Sequence, residues 1–287
     1  MVAHFTPDKP VVSAEWLKSH LTAPDVRVLD CTYFMPGSPK TGRQVYDAHH
    51  IPGARFFDID DVADSDSSLP HMLPSPEKFS SRVRKLGLGD GHRVVCYDQN
   101  GFLGSARVWW MFRTMGHADV AVLDGGFDAW RNAGGAIEDL PPHFLADRHF
   151  TVRPRRDLVR DIEQMKTNVA AKTAQVVDAR ALARFKGEIE EPRPGLRRGH
   201  IPGSISVPFG QLIAANGKLK SESEIKTVFQ TAGVDLAKPI TNTCGSGVTA
   251  AILALAQSIA GHDDAAVYDG SWSEWGLAAS DTPVEAG

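Results

Sequence analysis

The sequence has little cysteine and little net charge, and both shortages exclude classes of protein. Its 287 residues include only three cysteines, a small and odd number that cannot form a disulfide framework. The formal net charge is −4, so no basic field is present to recruit nucleic acid or an anionic membrane. Hydrophobic residues make up 42% and charged residues 23%, as in ordinary globular proteins. We therefore expect a globular chain, long enough for two domains, with neither nucleic-acid nor membrane partners.

The sequence also lacks an obvious targeting or membrane-spanning segment. The first residues, 1–6, contain no apolar stretch typical of a secretory signal. Unpaired thiols suit a reducing compartment, so we expect a cytoplasmic protein. Residues 239–261 carry no charge, but polar residues and two glycines interrupt the run. We predict a buried strand, a loop and a buried helix there rather than a membrane span.

What the sequence does contain is an internal duplication. The motif His-Ile-Pro-Gly at 50–53 returns at 200–203. A helical pattern that begins with serine and closes on glycine occurs at 75–87 and again at 221–233. Serine caps the first free amides of a helix and glycine adopts the left-handed conformation at its end, so both ends of each helix are specified. We conclude that the chain holds two copies of one domain.

Each copy alternates short runs rich in β-branched residues with helical patterns. This alternation predicts an α/β fold, in which a parallel sheet is flanked by helices on both faces. The predicted strands lie at 27–30, 93–97 and 120–123 in the first copy, and at 175–177, 240–243 and 265–268 in the second. We predict an N-terminal domain over 1–138, a linker over 139–158 and a C-terminal domain over 159–287.

The two copies differ at a position where α/β proteins bind ligands, beyond the carboxyl end of a strand. Asp98 follows a predicted strand in the first copy, and Cys244 follows its counterpart 146 positions later. A loop and then a helix follow each of them. Because only the second copy carries a thiol there, we predict that the second domain is catalytic and the first degenerate.

The sequence around Cys244 favours an ionised thiol. Gly245 and Gly247 allow backbone amides to turn inward as an anion-binding nest, and the next helix presents its positive end. Both effects favour the thiolate, which is the nucleophilic form. A buried structural cysteine is the alternative, because cysteine is commonly buried. Cys31 and Cys96 lack such a loop, and we predict that they are inert packing residues.

Two other classes of cysteine enzyme fit the sequence less well. Phosphatases with a cysteine before a helix need an arginine at the sixth position after it, where this chain has Ala250. We therefore exclude phosphate ester hydrolysis. A cysteine protease or acyl transferase needs a histidine base and an oxyanion hole. His71 is available as a base, but no local signature supports that class.

The tandem copies, the paired His-Ile-Pro-Gly motifs and the loop 244–249 (Cys-Gly-Ser-Gly-Val-Thr) resemble the rhodanese superfamily. The resemblance covers residues 11–283. It implies two rhodanese-like domains, a catalytic Cys244 that carries sulfur as a persulfide, and neither a metal nor an organic cofactor. It also implies that thioredoxin, small thiols or cyanide accept the sulfur. The loop residues that it assigns to persulfide stabilisation are Gly245, Ser246, Gly247, Val248 and Thr249.

The same loop bears on the sulfur donor. Thiosulfate-using members of the superfamily carry Cys-Arg-Lys-Gly-Val-Thr, whose two cations face a dianionic donor. In this chain Gly245 and Ser246 stand in their place, so the charge-assisted contacts to a dianion are missing. We therefore expect 3-mercaptopyruvate as the donor, with thiosulfate as the alternative. A non-catalytic binding module is a further alternative, and the intact loop argues against it.

Substrate-binding residues follow from the resemblance as well. The stretch 184–193 matches the family's substrate-binding pattern, which falls on Arg184 and Arg193 here. A guanidinium fork suits the carboxylate and ketone of 3-mercaptopyruvate. The alternative is that either arginine forms a surface ion pair of small value. We predict that the acidic run 188–191 between them is a solvated loop.

The resemblance further implies a group of residues that handles protons. It assigns Asp60 to orient His71, and His71 to polarise Ser246, in an arrangement that follows serine-hydrolase logic without a serine nucleophile. The alternative is that Asp60 caps a turn and that His71 is a structural loop residue. His50 and His200 recur in both copies, including the degenerate one, so we predict that they shape turns.

Overall fold

The computed structural model describes residues 10–35, 37–141 and 146–287. The chain forms two compact units, and each draws a short segment from the other half of the sequence. The N-terminal residues 1–6 and part of the predicted linker, 142–145, lie outside the described residues. The domain boundaries predicted above stay predictions. Unit 1 comprises Met1–Ser65, Pro74–Arg155 and Ala215–Lys218, and unit 2 comprises Asp66–Leu73, Arg156–Ala214 and Leu219–Gly287.

Unit 1 is built on a five-stranded sheet in the order β1-β5-β4-β2-β3, in which all pairs are parallel. Helices connect the strands, as parallel pairing requires. The elements are β1 (Val11–Val12), α1 (Ala14–His20), β2 (Val26–Asp30), α2 (Gly42–Ala48), β3 (Arg55–Phe56), α3 (Ile59–Val62), α4 (Pro76–Lys85), β4 (Arg93–Tyr97), α5 (Leu103–Thr114), β5 (Val120–Leu123) and α6 (Gly126–Asn132).

Unit 2 repeats this architecture with the strand order β6-β10-β9-β7-β8, again all parallel. Short 3-10 turns lie at Arg156–Leu158 and Phe209–Leu212. The elements are β6 (Val159–Arg160), α7 (Ile162–Ala171), β7 (Gln175–Asp178), α8 (Leu182–Phe185), β8 (Ile205–Ser206), α9 (Glu222–Thr231), β9 (Ile240–Thr243), α10 (Ala250–Ile259), β10 (Ala266–Tyr268) and α11 (Ser271–Trp275).

The matching strand orders confirm the α/β prediction and give every strand of unit 1 a counterpart in unit 2. The middle strand of each sheet is β4 in unit 1 and β9 in unit 2. Asp98 follows β4 and Cys244 follows β9, so both lie at the carboxyl end of a central strand. A loop then leads from Asp98 into α5 and from Cys244 into α10. The fold therefore places these two residues at equivalent positions.

The predicted helix caps are confirmed. Ser75 Oγ accepts a hydrogen bond from the amide of Lys78 at 3.2 Å, at the start of α4. Ser221 begins α9 with a reciprocal capping box that includes Glu224. The closing glycines, at 87 and 233, have φ angles of 76° and 88°, which a side chain would disfavour. These local signals explain why both helices could be predicted from sequence alone.

His50 and His200 have the structural role that the sequence analysis predicted. Nδ1 of His50 donates to the carbonyl of Tyr46 at 2.8 Å, and Nδ1 of His200 donates to the carbonyl of Phe185 at 2.8 Å. Each imidazole also stacks on the ring of the same partner, with centroids 4.2 Å apart in unit 1 and 3.8 Å apart in unit 2. The two residues stabilise the same turn in both units.

The uncharged segment 239–261 folds as predicted into a buried strand, a loop and a buried helix. Strand β9 is buried along its whole length although three of its four residues are polar. Helix α10 is otherwise made of alanine, leucine and isoleucine, with Gln257 and Ser258 as its polar residues. No helix in the described part of the chain combines the length and apolar character needed to cross a membrane.

Candidate active site

The loop 244–249 is held at the carboxyl edge of the sheet by backbone hydrogen bonds. The amide of Ala179, just after β7, donates to the carbonyl of Thr243 at 2.9 Å. The amide of Trp272, in α11, donates to the carbonyl of Cys244 at 2.9 Å. Cys244 itself is 1% exposed. The loop that carries the thiol is therefore fixed by the residue after β7 and by α11, and it is largely shielded from water.

A hydroxyl group that sequence analysis missed also holds this loop. Ser271 Oγ accepts hydrogen bonds from the amides of Cys244 at 3.2 Å and Gly247 at 3.1 Å, and donates to the carbonyl of Tyr268 at 2.7 Å. Ser271 has a φ of 49°, an unusual value for a residue with a side chain, which persists only where the surroundings enforce it. Its counterpart in the repeat is Gly126, with a φ of 56°. The change from Gly126 to Ser271 between the two repeats is the sequence feature that could have revealed this residue.

Several amides of the loop have no acceptor in the described part of the protein. The backbone amides of Gly245, Ser246, Val248 and Thr249 donate no hydrogen bond to any described residue. Amides at the start of a helix lack intrahelical acceptors and favour a bound anion. The hydroxyl group of Ser246 likewise makes no hydrogen bond with a described residue. The loop can therefore accept an anionic atom beside Cys244.

The equivalent loop of unit 1 already holds an anion of its own. Asp98 Oδ1 accepts from the amide of Phe102 at 2.8 Å, and Oδ2 accepts from the amide of Ser105 at 2.9 Å. Burial raises the pKa of Asp98 to about 6, while the same two amides oppose that rise. Val248 is the counterpart of Phe102, and its amide is one of those without an acceptor among the described residues.

The other two cysteines lie in the core of unit 1. Cys31 and Cys96 are both fully buried, on or beside adjacent strands. Burial raises the pKa of Cys31 well above its usual value, and the neighbouring Cys96 adds to the rise. A raised pKa makes the thiol of Cys31 a poor nucleophile. Their environment agrees with the prediction that they are packing residues.

Arg184 lies beside the loop and is already paired with a carboxylate. Its Nε donates to Glu191 Oε2 at 3.2 Å and Oε1 at 3.3 Å, and its Nη2 donates to Oε2. A Cβ atom placed on Gly245 would lie only 3.1 Å from Nη2 of Arg184. The missing side chain at position 245 therefore leaves room for this guanidinium next to Cys244.

The acidic run between the two candidate arginines needs a correction. Glu188 and Glu190 are exposed, as a solvated loop requires. Glu191 differs from them, because its side chain is only 2% exposed. Its carboxylate accepts from Arg180 at 2.8 Å as well as from Arg184. The prediction was wrong for Glu191 because two guanidinium groups draw the carboxylate inside.

Arg180 is a second residue that sequence analysis missed. Its fully buried guanidinium donates from Nη2 to Asp178 Oδ2 at 2.7 Å and to the carbonyl of Gly199 at 2.9 Å, and stacks 4.4 Å from the ring of Trp272. Burial would lower the pKa of Arg180, but the carboxylates of Asp178 and Glu191 outweigh it and raise the pKa. This network fixes the carboxylate of Glu191, which in turn holds the guanidinium of Arg184 in place.

Arg193 and His71 meet in unit 2. Nη2 of Arg193 lies 3.3 Å from Nε2 of His71, and since a guanidinium only donates, Nε2 acts as the acceptor. Within the described residues, Arg193 forms no ion pair with a carboxylate. Its positive charge is therefore available to an anionic ligand, in contrast to that of Arg184.

The segment that carries His71 is anchored to unit 2 although it belongs to the first sequence repeat. The amide of Leu73 donates to Oδ2 of Asp269, just after β10, at 2.7 Å. His71 is 8% exposed and has a φ of 61°, in the left-handed region that is uncommon for residues with side chains. The strained backbone and the two anchors hold His71 in one place.

Asp60, the third member of the predicted proton-handling group, lies in unit 1. It stands in the first turn of α3, where its amide donates to Asp58 Oδ1 at 2.9 Å. The cap of this helix is therefore Asp58, and the alternative that Asp60 caps a turn elsewhere stays a prediction. Its role beside His71, and the link from His71 to Ser246, stay predictions.

No three His, Cys, Asp or Glu side chains are grouped for metal binding within residues 10–35, 37–141 and 146–287. The groups near Cys244 are backbone amides, hydroxyls and guanidinium groups, which bind anions rather than cations. The absence of a cofactor therefore stays an expectation about the chain, while the donor set itself suits an anionic substrate.

Comparison with known proteins identifies the family. The family model for the rhodanese-like domain matches residues 13–133 and 161–278. The 3-mercaptopyruvate sulfurtransferase of Escherichia coli K12 is 40% identical over 275 residues, which span 96% of this chain and 97% of that protein. The thiosulfate sulfurtransferase of Gallus gallus is 41% identical over 274 residues, which span 93% of each chain. Overall identity therefore does not separate the two donors.

The fold agrees with a solved relative. The crystal structure of SseA from Escherichia coli, reported with the rhodanese fold of 3-mercaptopyruvate sulfotransferases, matches with a TM-score of 0.84 and 37% identity. The match covers 93% of this chain and 100% of SseA. Because both halves match the family model and these relatives span nearly the whole chain, the protein belongs to the rhodanese family, with two rhodanese-like domains in tandem.

Proposed function

We propose that this protein is a sulfur-group transferase that moves sulfur from 3-mercaptopyruvate, through a persulfide on Cys244, to a thiol or cyanide acceptor. Pyruvate is the other product. The relatives that carry this activity in their names match nearly the whole chain, as the E. coli protein does at 40% identity. The catalytic residues are inferred from the site together with the family resemblance, and the acceptors from that resemblance alone.

The contrast between the two loops is the observation that carries this proposal. In unit 1 the loop amide of Phe102 binds a carboxylate oxygen of Asp98. In unit 2 the equivalent amide of Val248 has no acceptor among the described residues, and Cys244 replaces the carboxylate. A loop that binds an anion in one copy suits an anionic sulfur in the other. The thiolate and the terminal sulfur of a persulfide both fit that description.

The donor is held by the two arginines in different ways. Arg193, which has no carboxylate partner among the described residues, binds the carboxylate of 3-mercaptopyruvate. Arg184 shares its charge with Glu191, so it suits a neutral acceptor, the ketone oxygen. Its position beside Gly245 directs the sulfur-bearing carbon of the donor toward Cys244. Binding at two points fixes the orientation of a small substrate.

The first step breaks the carbon–sulfur bond of the donor. The thiolate of Cys244 attacks the donor sulfur, and a sulfur–sulfur bond forms as the carbon–sulfur bond breaks. The bonding electron pair stays with the carbon and gives the enolate of pyruvate. Arg184 stabilises the negative charge that develops on the enolate oxygen. The enolate then takes up a proton at carbon and leaves as pyruvate.

Proton supply involves the group around His71. With Nε2 facing Arg193, the ring proton of neutral His71 lies on Nδ1. We assign His71, with Ser246, to deliver the proton that the departing carbon needs. The hydroxyl of Ser246 is the member closest in sequence to Cys244 and has no acceptor among the described residues.

The second step restores the thiolate. An acceptor nucleophile, such as a small thiol, a reduced thioredoxin or cyanide, attacks the outer sulfur of the Cys244 persulfide. The sulfur–sulfur bond breaks, its electron pair returns to Cys244, and the acceptor leaves with the sulfur atom. The kinetics are therefore ping-pong. Since all three cysteines are free thiols, we place the protein in a reducing compartment such as the cytoplasm.

Thiosulfate is the competing donor, because a relative of 41% identity is named for it. The space beside Gly245, which a cation for thiosulfate would need, is filled by the guanidinium of Arg184. We therefore expect kcat/KM for 3-mercaptopyruvate to exceed that for thiosulfate by about tenfold or more, since two charge-assisted contacts are missing. Steady-state assays of both donors with cyanide as acceptor measure this ratio. A ratio below one would transfer the proposal to thiosulfate, and no turnover of either donor would refute it.

A further inference from the structure

Strand β9 and helix α10, which flank the catalytic loop, are joined by a buried pair of amide side chains. Nδ2 of Asn242 donates to Oε1 of Gln257 at 2.7 Å, and Nε2 of Gln257 donates to Oδ1 of Asn242 at 3.0 Å. Both side chains are fully buried. The two hydrogen bonds are reciprocal, so the pair fixes both distance and orientation between the strand and the helix.

The equivalent pair in unit 1 is apolar. The strand registers match Val177 with Asn242 in unit 2 and Leu29 with Cys96 in unit 1, so Cys96 is the counterpart of Asn242. Met111 in α5 occupies the place of Gln257. Packing of the fold therefore does not require a polar link at this position. Its presence in unit 2 needs another explanation.

Unit 1 fastens its loop to its helix in a different way. The carboxylate of Asp98 accepts from the amides of Phe102 and Ser105, and so ties the end of β4 to the start of α5. Unit 2 has lost this tie, because Cys244 replaces the carboxylate. The thiol must stay available for chemistry, so a replacement tie has to lie outside the loop.

Helix α10 also needs such a tie more than α5 does. Apart from Gln257 and Ser258, it contacts the core through alanine, leucine and isoleucine, whose attraction to the sheet is non-directional. A smooth apolar interface of this kind specifies position less sharply than directional hydrogen bonds do. Gln257 lies about 10 Å along the axis from the start of the helix, so it can hold α10 without touching the loop.

We propose that Asn242 and Gln257 are positioning residues that set the depth and rotation of α10 on β9, and thereby place the loop amides around Cys244. The inference rests on the proposed function and extends it to two residues outside the loop. A small shift of α10 along β9 would move the amides of Val248 and Thr249 relative to the sulfur. Loss of the pair therefore weakens stabilisation of the thiolate and of the persulfide.

The test replaces both amides by apolar groups of similar shape, in the double variant Asn242→Leu/Gln257→Met. Replacing both partners leaves no buried polar group unpaired, so the fold is expected to survive. We expect kcat for 3-mercaptopyruvate to fall about tenfold with little change in KM, because Arg184 and Arg193 lie on other segments. The pH midpoint for alkylation of Cys244 by iodoacetamide should rise by about one unit, equivalent to about tenfold slower reaction near neutral pH.

The control is Met111→Leu, a core substitution at the same place in the other unit, which should change neither measurement. Wild-type kcat and an unchanged alkylation profile in a folded double variant would overturn the inference. Should the double variant not fold, the swap Asn242→Gln/Gln257→Asn keeps a reciprocal pair and decides the matter. Near wild-type values support the inference, and tenfold losses in a folded swap refute it. If the wild type turns over neither donor, the proposed function fails, while the alkylation profile still tests the pair.

Discussion

The two units carry equivalent loops at the carboxyl ends of equivalent strands, but the residue that begins the loop differs between them. In unit 1 the loop amides are occupied by the carboxylate of Asp98, at 2.8 and 2.9 Å. In unit 2 the thiol of Cys244 stands at that position, and amides such as that of Val248 have no acceptor among the described residues. The loop amides bind the carboxylate of Asp98 in unit 1, and the proposed function assigns the equivalent amides of unit 2 to an anionic sulfur.

The side chains that surround the loop also differ between the two units. Ser271 replaces Gly126 and supports two loop amides with its hydroxyl group. Arg180 stands where unit 1 has Thr32, whose hydroxyl donates to Asp30 at 2.5 Å. In unit 2, Arg180 joins a buried ion-pair network with Asp178 and Glu191. These side chains support the Cys244 loop of unit 2 and have no equivalents at the matching positions of unit 1.

The largest effect on activity is expected when the thiol that distinguishes the loop of unit 2 is removed. Cys244→Ser should reduce sulfur transfer about a thousandfold or more, because no other thiol lies on the loop and a hydroxyl group cannot carry the sulfur as a persulfide. Far-ultraviolet circular dichroism should be unchanged. Cys31→Ala, in the core of unit 1, is the matched control and should keep nearly full turnover. Residual activity above about one tenth in Cys244→Ser would remove Cys244 from the mechanism.

The variant Arg193→Ala tests whether Arg193 of unit 2 binds the carboxylate of the donor. Loss of a guanidinium that binds a carboxylate should raise KM for 3-mercaptopyruvate about 10- to 100-fold, with a smaller effect on kcat. Initial-rate measurements over a wide range of donor concentration give both constants. Arg198→Ala removes an exposed arginine paired with Glu190 and should leave KM unchanged. An unaltered KM in Arg193→Ala would place the donor carboxylate elsewhere.

A smaller shift is expected when the loop is given the cations of thiosulfate-using enzymes. Gly245→Arg with Ser246→Lys should raise the thiosulfate to 3-mercaptopyruvate activity ratio about tenfold. The new side chain at 245 must also displace Arg184, whose Nη2 lies 3.1 Å from the position of a Cβ there. Gly245→Ala is the control that adds the steric contact without the charge. If the ratio stays constant, loop charge does not select the donor.

The smallest effect on catalysis is expected at Asp98, where the consequence is for stability. Its pKa is raised to about 6 in the folded protein, above the unfolded value near 3.9, so the folded state binds the proton more tightly. Stability from this group is therefore present at low pH and is lost as pH rises from about 4 through 6, by at most about 3 kcal/mol. Asp98→Asn should remove that loss while leaving kcat within about twofold, because the proposed substrate site lies in unit 2.

Urea unfolding of the wild type and of Asp98→Asn gives the free energy of unfolding of each protein at pH 5 and at pH 8. The effect is the change with pH in the wild type minus the change with pH in the variant. Other carboxylates titrate in both proteins and cancel in this comparison. The variant should gain stability relative to wild type as the pH rises. A constant difference between the two proteins would contradict the raised pKa of Asp98.

Sequence predicted the parts of the fold that local patterns specify. Strands β4, β5 and β9 have the predicted bounds, because each is a buried run of four or five residues with clear ends. The capped helices α4 and α9 follow from serine and glycine at their ends. The two-residue strands β1, β3, β6 and β8 were missed, since two residues carry no periodic pattern.

The site was predictable only where its residues are local to the loop or covered by the family resemblance. Glu191 was misjudged because its burial depends on Arg180, whose own position depends on Asp178 and Trp272. Ser271 was missed because the use of its hydroxyl depends on a left-handed backbone that sequence does not reveal. Such contacts arise from tertiary packing, which overrides what neighbours in sequence suggest.

The central claim is that the loop of unit 2 carries a sulfur atom on Cys244, and mass spectrometry tests it most directly. The protein is incubated with 3-mercaptopyruvate without an acceptor, digested and compared with an untreated sample. We predict that the Cys244 peptide gains the mass of one sulfur atom, loses it on addition of a thiol, and that peptides of Cys31 and Cys96 stay unmodified. A Cys244 peptide that stays unmodified while pyruvate is released in one equivalent would contradict the account.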